Sequence, residues 1–68
     1  MMGEIKYPHV EVQLTGEDGS AIFVIGRVTK ALRRSGVSNS EISSFAREAM
    51  AGDYNHVLVT AMRWVSVS

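Results

Sequence analysis

Four basic side chains in the middle of the chain are the first candidates for ligand chemistry. Arg27, Lys30, Arg33 and Arg34 fall on the polar side of a segment whose apolar residues recur with a helical period. Arginine offers a planar fork of donors and lysine offers a mobile point charge, and both groups neutralise phosphates. The same pattern is typical of an ordinary solvated helix face. The sequence therefore predicts either an anion-binding face or a solvated one.

A turn that precedes this segment could add donors for an anion. The run from Gly16 to Ser20 is rich in turn formers, and Asp18 or Ser20 can cap the helix that follows. Free backbone amides and the positive end of the helix dipole can hold a phosphate at such a helix start. However, Glu17 and Asp18 would repel an anion, and the lysine of a P-loop is missing. An ordinary strand-to-helix turn is the alternative interpretation.

One glycine and several aromatic residues also stand out. Gly26 lies inside the predicted helix, where glycine costs about 1 kcal/mol relative to alanine, so we expect another helix, a subunit or a ligand to approach it closely. Phe45 has the spacing of a core residue. Phe23, Tyr54 and Trp64 could stack on bases or fill an oligomer interface.

The chain shows no arrangement of residues that is typical of catalysis. His9 and His56 lack metal-ligand spacing, no motif places a serine beside a general base, and no pair of carboxylates recurs on one face. We therefore expect a protein that is not an enzyme, without catalytic residues, metal or cofactor.

Alternation of apolar and polar residues predicts a strand near each end of the chain. Val10, Val12 and Leu14 share one face of the first strand, while His9, Glu11 and Gln13 share the other. The last four residues, 65–68, alternate again and could form a short final strand beside the first.

Three helices are predicted between these strands. The first begins near Ser20, the second opens with a capping box of Ser38 and Glu41, and Asp53 caps the third. The glycines expected to end the first two helices are Gly36 and Gly52. The residues expected on the buried faces are Ile22, Ile25, Val28 and Leu32 in the first helix, Ile42, Phe45, Ala46, Ala49 and Met50 in the second, and Tyr54, Val57, Leu58, Ala61 and Val65 in the third.

The resulting fold class is α+β, in the order βαααβ, with a small two-stranded sheet packed on helices. Residues 1–68 form a single domain, of which we expect residues 1–6 to be loose. A hydrophobic fraction of 46% is hard to bury in so short a chain, and a two-stranded sheet is marginal by itself. We therefore expect homo-oligomers.

Composition also limits the compartment and the partners. The chain has no cysteine, which favours the reducing cytoplasm, and no apolar run long enough for a bilayer, so we expect no membrane partner. Seven basic residues balance seven acidic ones, which argues against a nucleic acid polymer as the ligand.

Two short motifs in the chain match a recurrent pattern. The run from Leu14 to Phe23 carries the first, Gly26 matches a helical glycine, and Gly52, Asp53 and Tyr54 carry the second. These motifs resemble small bacteriophage-type proteins that read roughly G-x-D-G-N-A-F, a helix, then S-G-D-Y, among them the Sequestin-type sponges that trap cyclic nucleotide immune signals. The similarity extends from Val10 to Val67, but Ser20 replaces the usual Asn and Ala51 the usual Ser.

The resemblance implies a multimer with ligand pockets between subunits, acting in the host-cell cytoplasm if a phage encodes it. We expect such a sponge to sequester a small cyclic nucleotide without changing it. The alternative is a structural or protein-binding oligomer, such as a phage inhibitor of a host protein. The predicted ligand residues are Gly19, Ser20 and Ala21 at the helix start, Phe23, Arg27 or Lys30 for charge, and Asp53 with Tyr54 for stacking or shape.

Overall fold

The computed structural model of the protein describes residues 5–14 and 20–68. Its elements are β1 (Tyr7–Val12), α1 (Ala21–Arg34), α2 (Asn39–Ala49), α3 (Tyr54–Trp64) and β2 (Val65–Val67). The two strands form a parallel sheet that packs against the helices. The α+β class, the βαααβ order and the pairing of the last strand with the first are therefore confirmed. The predicted turn at residues 16–19 lies outside the described residues.

The strand pairing decides which edge of β1 remains open. The Ser68 amide donates to the Val12 carbonyl at 3.0 Å, and the Leu14 amide donates to the Ser68 carbonyl at 3.0 Å. Val12 and Leu14 thus direct their backbone groups at β2. Because these directions alternate along a strand, Glu11 and Gln13 direct their backbone groups to the outer edge.

The helices and the sheet enclose one apolar core. Val10, Val12, Val28, Leu32 and Phe45 are buried in it, as their spacing predicts. The remaining core members are Val24, Ile25, Ile42, Ala49, Val57, Ala61, Trp64 and Val65.

Four aromatic and aliphatic residues differ from the predicted burial. Ile22 is 81% exposed and Tyr54 is 38% exposed, because each lies in the first turn of its helix, ahead of the residues that reach the core. Met50 is also exposed, since α2 ends at Ala49. Trp64, expected at a surface or an interface, is buried against Phe45, with ring centroids 5.5 Å apart.

The predicted helix starts are confirmed by their capping bonds. The Ser20 hydroxyl accepts from the Phe23 amide at 3.3 Å, and the Asp53 carboxylate accepts from the His56 amide at 3.0 Å. The Ser38 hydroxyl accepts from the Glu41 amide at 3.2 Å. The reciprocal half of the capping box is wrong, because the Glu41 carboxylate is occupied by other residues, described below.

The two predicted helix-stop glycines behave differently. Gly36 follows α1 with φ +85°, the left-handed conformation that glycine adopts most easily, so its role is confirmed. Gly52 has no positive φ, and the cap residue of α2 is Met50. A side chain at Gly52 would instead approach the Cβ of His56 to 2.7 Å, so close packing requires this glycine.

Candidate ligand groove between α1 and the outer edge of β1

An open groove of about 620 Å³ separates α1 from the outer edge of β1. Its volume is within the range of small-molecule sites. The lining residues are Glu11, Val12 and Gln13 from β1, and Ile22, Phe23, Gly26, Arg27, Lys30, Ala31 and Arg34 from α1. Three of the predicted ligand residues therefore meet in one place, namely Phe23, Arg27 and Lys30.

Helical spacing brings the α1 residues to the groove. Residues four positions apart are neighbours along one side of a helix. Ile22, Gly26, Lys30 and Arg34 form one such row, and Phe23, Arg27 and Ala31 form the adjacent one. The core side of α1, with Val24, Val28 and Leu32, holds this surface against the rest of the fold.

Arg27 is the best-positioned cation of the groove. Its Nη1 donates to the Gln13 carbonyl at 3.0 Å, which is one of the backbone groups at the outer edge of β1. Its guanidinium carbon lies 5.1 Å from the centroid of the Phe23 ring, within the range of a cation–π contact. The two contacts fix the guanidinium beside an aromatic face, while its other donors remain for a ligand.

Lys30 and Arg34 extend the positive charge along the groove. Both side chains are exposed, and neither forms an ion pair with any residue in 5–14 or 20–68. Glu11 is the acidic residue of the lining and offsets part of this charge. Among the described lining residues, three cations accompany one carboxylate, and this balance attracts anions.

Gly26 lies in the row that borders the groove. A Cβ added there meets no described atom within 4 Å, so the expected close approach of another helix of the same chain is wrong. The groove opens at this position instead. The remaining explanations for the glycine are a ligand and a second subunit.

The predicted helix-start residues are placed differently. Ser20 caps α1 through its hydroxyl, and its carbonyl accepts from the Val24 amide at 3.2 Å. Ala21 is half-buried and packs against the core. Neither residue lines the groove. Gly19 lies outside the described residues.

The second motif is separated from the groove. Asp53 and Tyr54 belong to the start of α3, and neither is among the groove residues. The Asp53 Oδ1 accepts the capping bond from His56, which gives this carboxylate a structural role. Tyr54 presents an exposed ring to solvent on α3.

A second set of charges, the Glu41 cluster, contrasts with the groove because its members are paired. We use this name for Lys6, Tyr7, Glu41, Glu48 and Trp64. Lys6 Nζ lies 2.8 Å from Glu41 Oε1, and the Tyr7 hydroxyl donates to the same oxygen at 3.0 Å. Trp64 Nε1 donates to Glu48 Oε1 at 3.2 Å, and Lys6 Nζ lies 4.4 Å from the Trp64 ring centroid.

These contacts shift the protonation equilibria of the cluster. Donation from Lys6, and then from Tyr7, holds the pKa of the Glu41 carboxyl below its ordinary value. The bond to Glu41 raises the pKa of the Lys6 ammonium, and partial burial followed by donation to Glu41 raises the pKa of the Tyr7 hydroxyl. Lys6 was expected in the loose segment; besides this ion pair, its amide donates to the Arg63 carbonyl at 2.9 Å.

Seven groove residues were not among the predicted ligand residues, namely Glu11, Val12, Gln13, Ile22, Gly26, Ala31 and Arg34. Arg34 belongs to the basic cluster, and its distance of four positions from Lys30 could have assigned it to the same row. The apolar period of α1 predicts Ile22 in the core instead. Glu11 and Gln13 were on the predicted polar face of β1, but no local signal pairs that strand edge with α1.

Among the described residues, no group of three or more His, Cys, Asp or Glu side chains could hold a metal ion. No helix in this part of the chain has the length and apolar character needed to cross a membrane. Comparisons of the chain with protein-family models, with curated proteins and with solved structures find no match.

Proposed function

We propose that the protein is a non-enzymatic, homo-oligomeric binding protein that sequesters a small phosphorylated nucleotide in the groove between α1 and β1. The phosphates contact Lys30 and Arg34, and the base lies against Phe23 beside Arg27. This proposed binding corresponds to the sponge function that the motif resemblance implies. In that role the ligand is a cyclic nucleotide signal in the cytoplasm.

The observation that carries the proposal is an aromatic ring next to three cations, which outnumber the one carboxylate among the described lining residues. Phe23 and Arg27 are already in contact, with the guanidinium carbon 5.1 Å from the ring centroid. Lys30 and Arg34 follow on the same side of the helix. Nucleotides combine a flat base with phosphate charge, and these are the two features that such a surface recognises.

The open shape of the groove limits its affinity. Each charge-assisted hydrogen bond contributes about 1.5 to 3 kcal/mol and one stacked base about 1 to 3 kcal/mol. Lost translational and rotational freedom opposes these gains by at least about 4 kcal/mol. Two such bonds and one stacked base therefore leave at most about 5 kcal/mol, so a single copy binds with a dissociation constant near the millimolar range. Sequestration then requires protein in excess of its ligand.

The second candidate is a structural or protein-binding oligomer without a small-molecule ligand. It is favoured by the outer edge of β1, where Glu11 directs its backbone groups away from β2. An open strand edge is a template for pairing with another chain, such as a host protein. Calorimetry with small ligands separates this candidate from the first.

The test is a calorimetric titration with a panel of cyclic dinucleotides, cyclic trinucleotides and cyclic ADP-ribose isomers. Arg34→Glu and Arg33→Glu form a matched pair, since both residues lie in the last turn of α1 and Arg34 alone lines the groove. We expect saturable heat with the wild type and with Arg33→Glu, and a loss of about tenfold or more in affinity with Arg34→Glu.

The chemical fate of the ligand tests the proposal that the protein is not an enzyme. After heat denaturation of the complex, mass spectrometry of the released ligand should show it intact. Chemical conversion during incubation would contradict a sponge, and absence of heat across the panel would favour the protein-binding candidate.

A further inference from the structure

Glu11 supplies the acidic charge of the described groove lining, and it has no partner among the described residues. Its side chain is exposed on β1 and forms no hydrogen bond or ion pair within residues 5–14 and 20–68. Lys30 and Arg34 line the same groove from α1, and neither pairs with it. Since an ion pair needs a nitrogen–oxygen distance of about 4 Å or less, the carboxylate and these cations stay apart across the open groove.

One contact shows how β1 and α1 are aligned along the groove. Arg27 Nη1 donates to the Gln13 carbonyl at 3.0 Å, and its guanidinium carbon lies 5.1 Å from the Phe23 ring centroid. Gln13 is therefore level with the first turn of α1. From there the lining continues forward to Arg34 on the helix side and back to Glu11 on the strand side. Glu11 thus lies opposite the later turns of α1.

This alignment places Glu11 opposite the middle of the proposed ligand. In the proposed binding mode the base lies against Phe23, and the phosphates contact Lys30, seven residues or about 10 Å further along the helix axis. The sugar joins the base to the phosphates and therefore lies between these two positions. Glu11 is about 7 Å along the strand from Gln13, which is level with the base, so the carboxylate faces the sugar rather than the base.

A carboxylate at this place is unfavourable for an anionic ligand unless the ligand donates a hydrogen bond to it. The negative charge repels phosphates, and this cost is offset only where a hydroxyl or an N–H group faces the carboxylate. Phosphate oxygens are acceptors, whereas a ribose hydroxyl is a neutral donor. Selective sites use such unfavourable groups against the wrong ligand. The position of Glu11 therefore favours a ligand with a hydroxyl group on its sugar.

We propose that the Glu11 carboxylate accepts a hydrogen bond from a ribose 2′-hydroxyl, so that the groove binds ribonucleotides in preference to 2′-deoxynucleotides. The inference rests on the proposed function and names the ligand class of that same groove. Acidic side chains accept from this hydroxyl in dinucleotide-binding folds, so the chemistry is general. A hydrogen bond to an ionised acceptor is about twice as strong as a neutral one, which makes a single contact sufficient for discrimination.

The experiment compares 3′,3′-linked cyclic di-AMP and cyclic di-GMP with their 2′-deoxy counterparts by NMR titration, which measures dissociation constants in the millimolar range. Each ribonucleotide and its deoxy counterpart carry the same charge. The ratio of their dissociation constants therefore isolates the hydroxyl contact from the general repulsion by Glu11. For the wild type we expect the ribonucleotide to bind about tenfold more tightly.

Glu11→Ala should bring this ratio close to one. Its affinity for the deoxy compound should be no lower than that of the wild type, because the repulsive charge is removed. His9→Gln is the matched control, since His9 is exposed on β1 and does not line the groove, and it should keep the wild-type ratio. The amide spectrum of each variant without ligand establishes that the variant is folded.

The outcomes distinguish this inference from the proposed function. Absence of saturable binding by all of these compounds overturns both. Equal binding of ribonucleotide and deoxy counterpart by the wild type overturns the hydroxyl contact alone. A ratio that persists in Glu11→Ala assigns hydroxyl recognition to another residue and overturns the role of Glu11. A preference between guanine and adenine that Glu11→Ala abolishes, without a change in the ratio, places the carboxylate against the base and overturns it as well.

Discussion

The groove and the Glu41 cluster both bring charged groups to aromatic rings, yet they leave those charges in opposite states. In the cluster, one Glu41 oxygen accepts from Lys6 at 2.8 Å and from Tyr7 at 3.0 Å, and Lys6 also lies over the Trp64 ring. In the groove, Arg27 contacts a backbone carbonyl and a ring, and within the described ranges neither Arg27 nor Lys30 has an ion-pair partner. Paired charges hold elements together, whereas unpaired charges remain for a ligand.

The difference follows from where each charge lies along the chain. Lys6 and Tyr7 precede the first buried residue of β1, and their bonds to Glu41 fasten that strand to the start of α2. The groove cations lie on one helix that carries no acidic residue of its own in its first turn. We therefore expect the cluster to stabilise the fold, and we propose that the groove binds the ligand.

Reversing the charge of one lysine in each region should distinguish these two roles most strongly. Lys30→Glu removes the proposed phosphate contact and should weaken nucleotide binding about tenfold to hundredfold, because a charge-assisted bond contributes about 1.5 to 3 kcal/mol. Its urea midpoint should stay near that of the wild type. Lys6→Glu should instead lower the urea midpoint, since it places a second carboxylate beside Glu41. Its nucleotide affinity should equal that of the wild type, because the groove is intact. Loss of binding in Lys6→Glu with full stability would break the comparison.

Low pH should reduce the stability of the fold through the Glu41 cluster rather than through the groove. The pKa of the Glu41 carboxyl is lowered by Lys6 and Tyr7, so its contribution to the free energy of unfolding is present above the ordinary value of 4.5. That contribution disappears as the pH falls through the lowered pKa and Glu41 takes up a proton.

Urea unfolding between about pH 7 and about pH 3 measures this effect. Glu41→Gln should lower stability at neutral pH and remove part of the acid-dependent decline. Glu11→Gln is the control, because Glu11 forms no ion pair with a described residue. Identical pH profiles for the wild type and Glu41→Gln would show that the cluster does not stabilise the fold.

Glu41 also lies in the first turn of α2, which Ser38 caps. A change at this cap should have a smaller effect on the free energy of unfolding. Ser38→Ala removes the acceptor for the Glu41 amide and should lower the free energy of unfolding by about 1 kcal/mol. Ser43→Ala, at an exposed interior position of α2, serves as the control in the same urea titration. If both variants have equal stability, the hydroxyl of Ser38 does not stabilise the helix.

The smallest expected effect is a gain in stability on the groove side. Gly26→Ala should raise the free energy of unfolding by about 0.5 to 1 kcal/mol, since the added methyl group meets open space and alanine favours a helix. The same methyl group narrows the groove, so nucleotide affinity should fall. Thermal melting and calorimetry on one preparation measure both. A destabilised Gly26→Ala would mean that something packs against this position.

Much of the fold could be predicted because its signals are local. The caps at Ser20, Ser38 and Asp53 and the left-handed Gly36 each depend on residues within one helical turn. Alternation likewise identified the buried face of β1. The errors arose at helix ends, where Ile22 keeps the apolar period but lies ahead of the core.

Only those residues of the candidate site that lie on α1 could be predicted from the sequence. Phe23, Arg27 and Lys30 come together because of helical spacing. Gln13 and the Glu41 cluster depend on contacts between residues distant in the chain, such as Tyr7 with Glu41, which periodicity does not encode. The burial of Trp64 was missed for the same reason, since Phe45 and Tyr7 reach it from other elements.

The most direct test of the division between the two regions is an NMR titration of isotope-labelled protein with the nucleotide that gives the largest calorimetric heat. The account predicts amide shift changes at Phe23, Gly26, Arg27 and Lys30 and along residues 11–13 of β1, with saturation at one ligand per copy. The amides of Tyr7 and Glu41 should stay near their free positions. Shift changes centred on Glu41 and α3 and absent from the groove would contradict it.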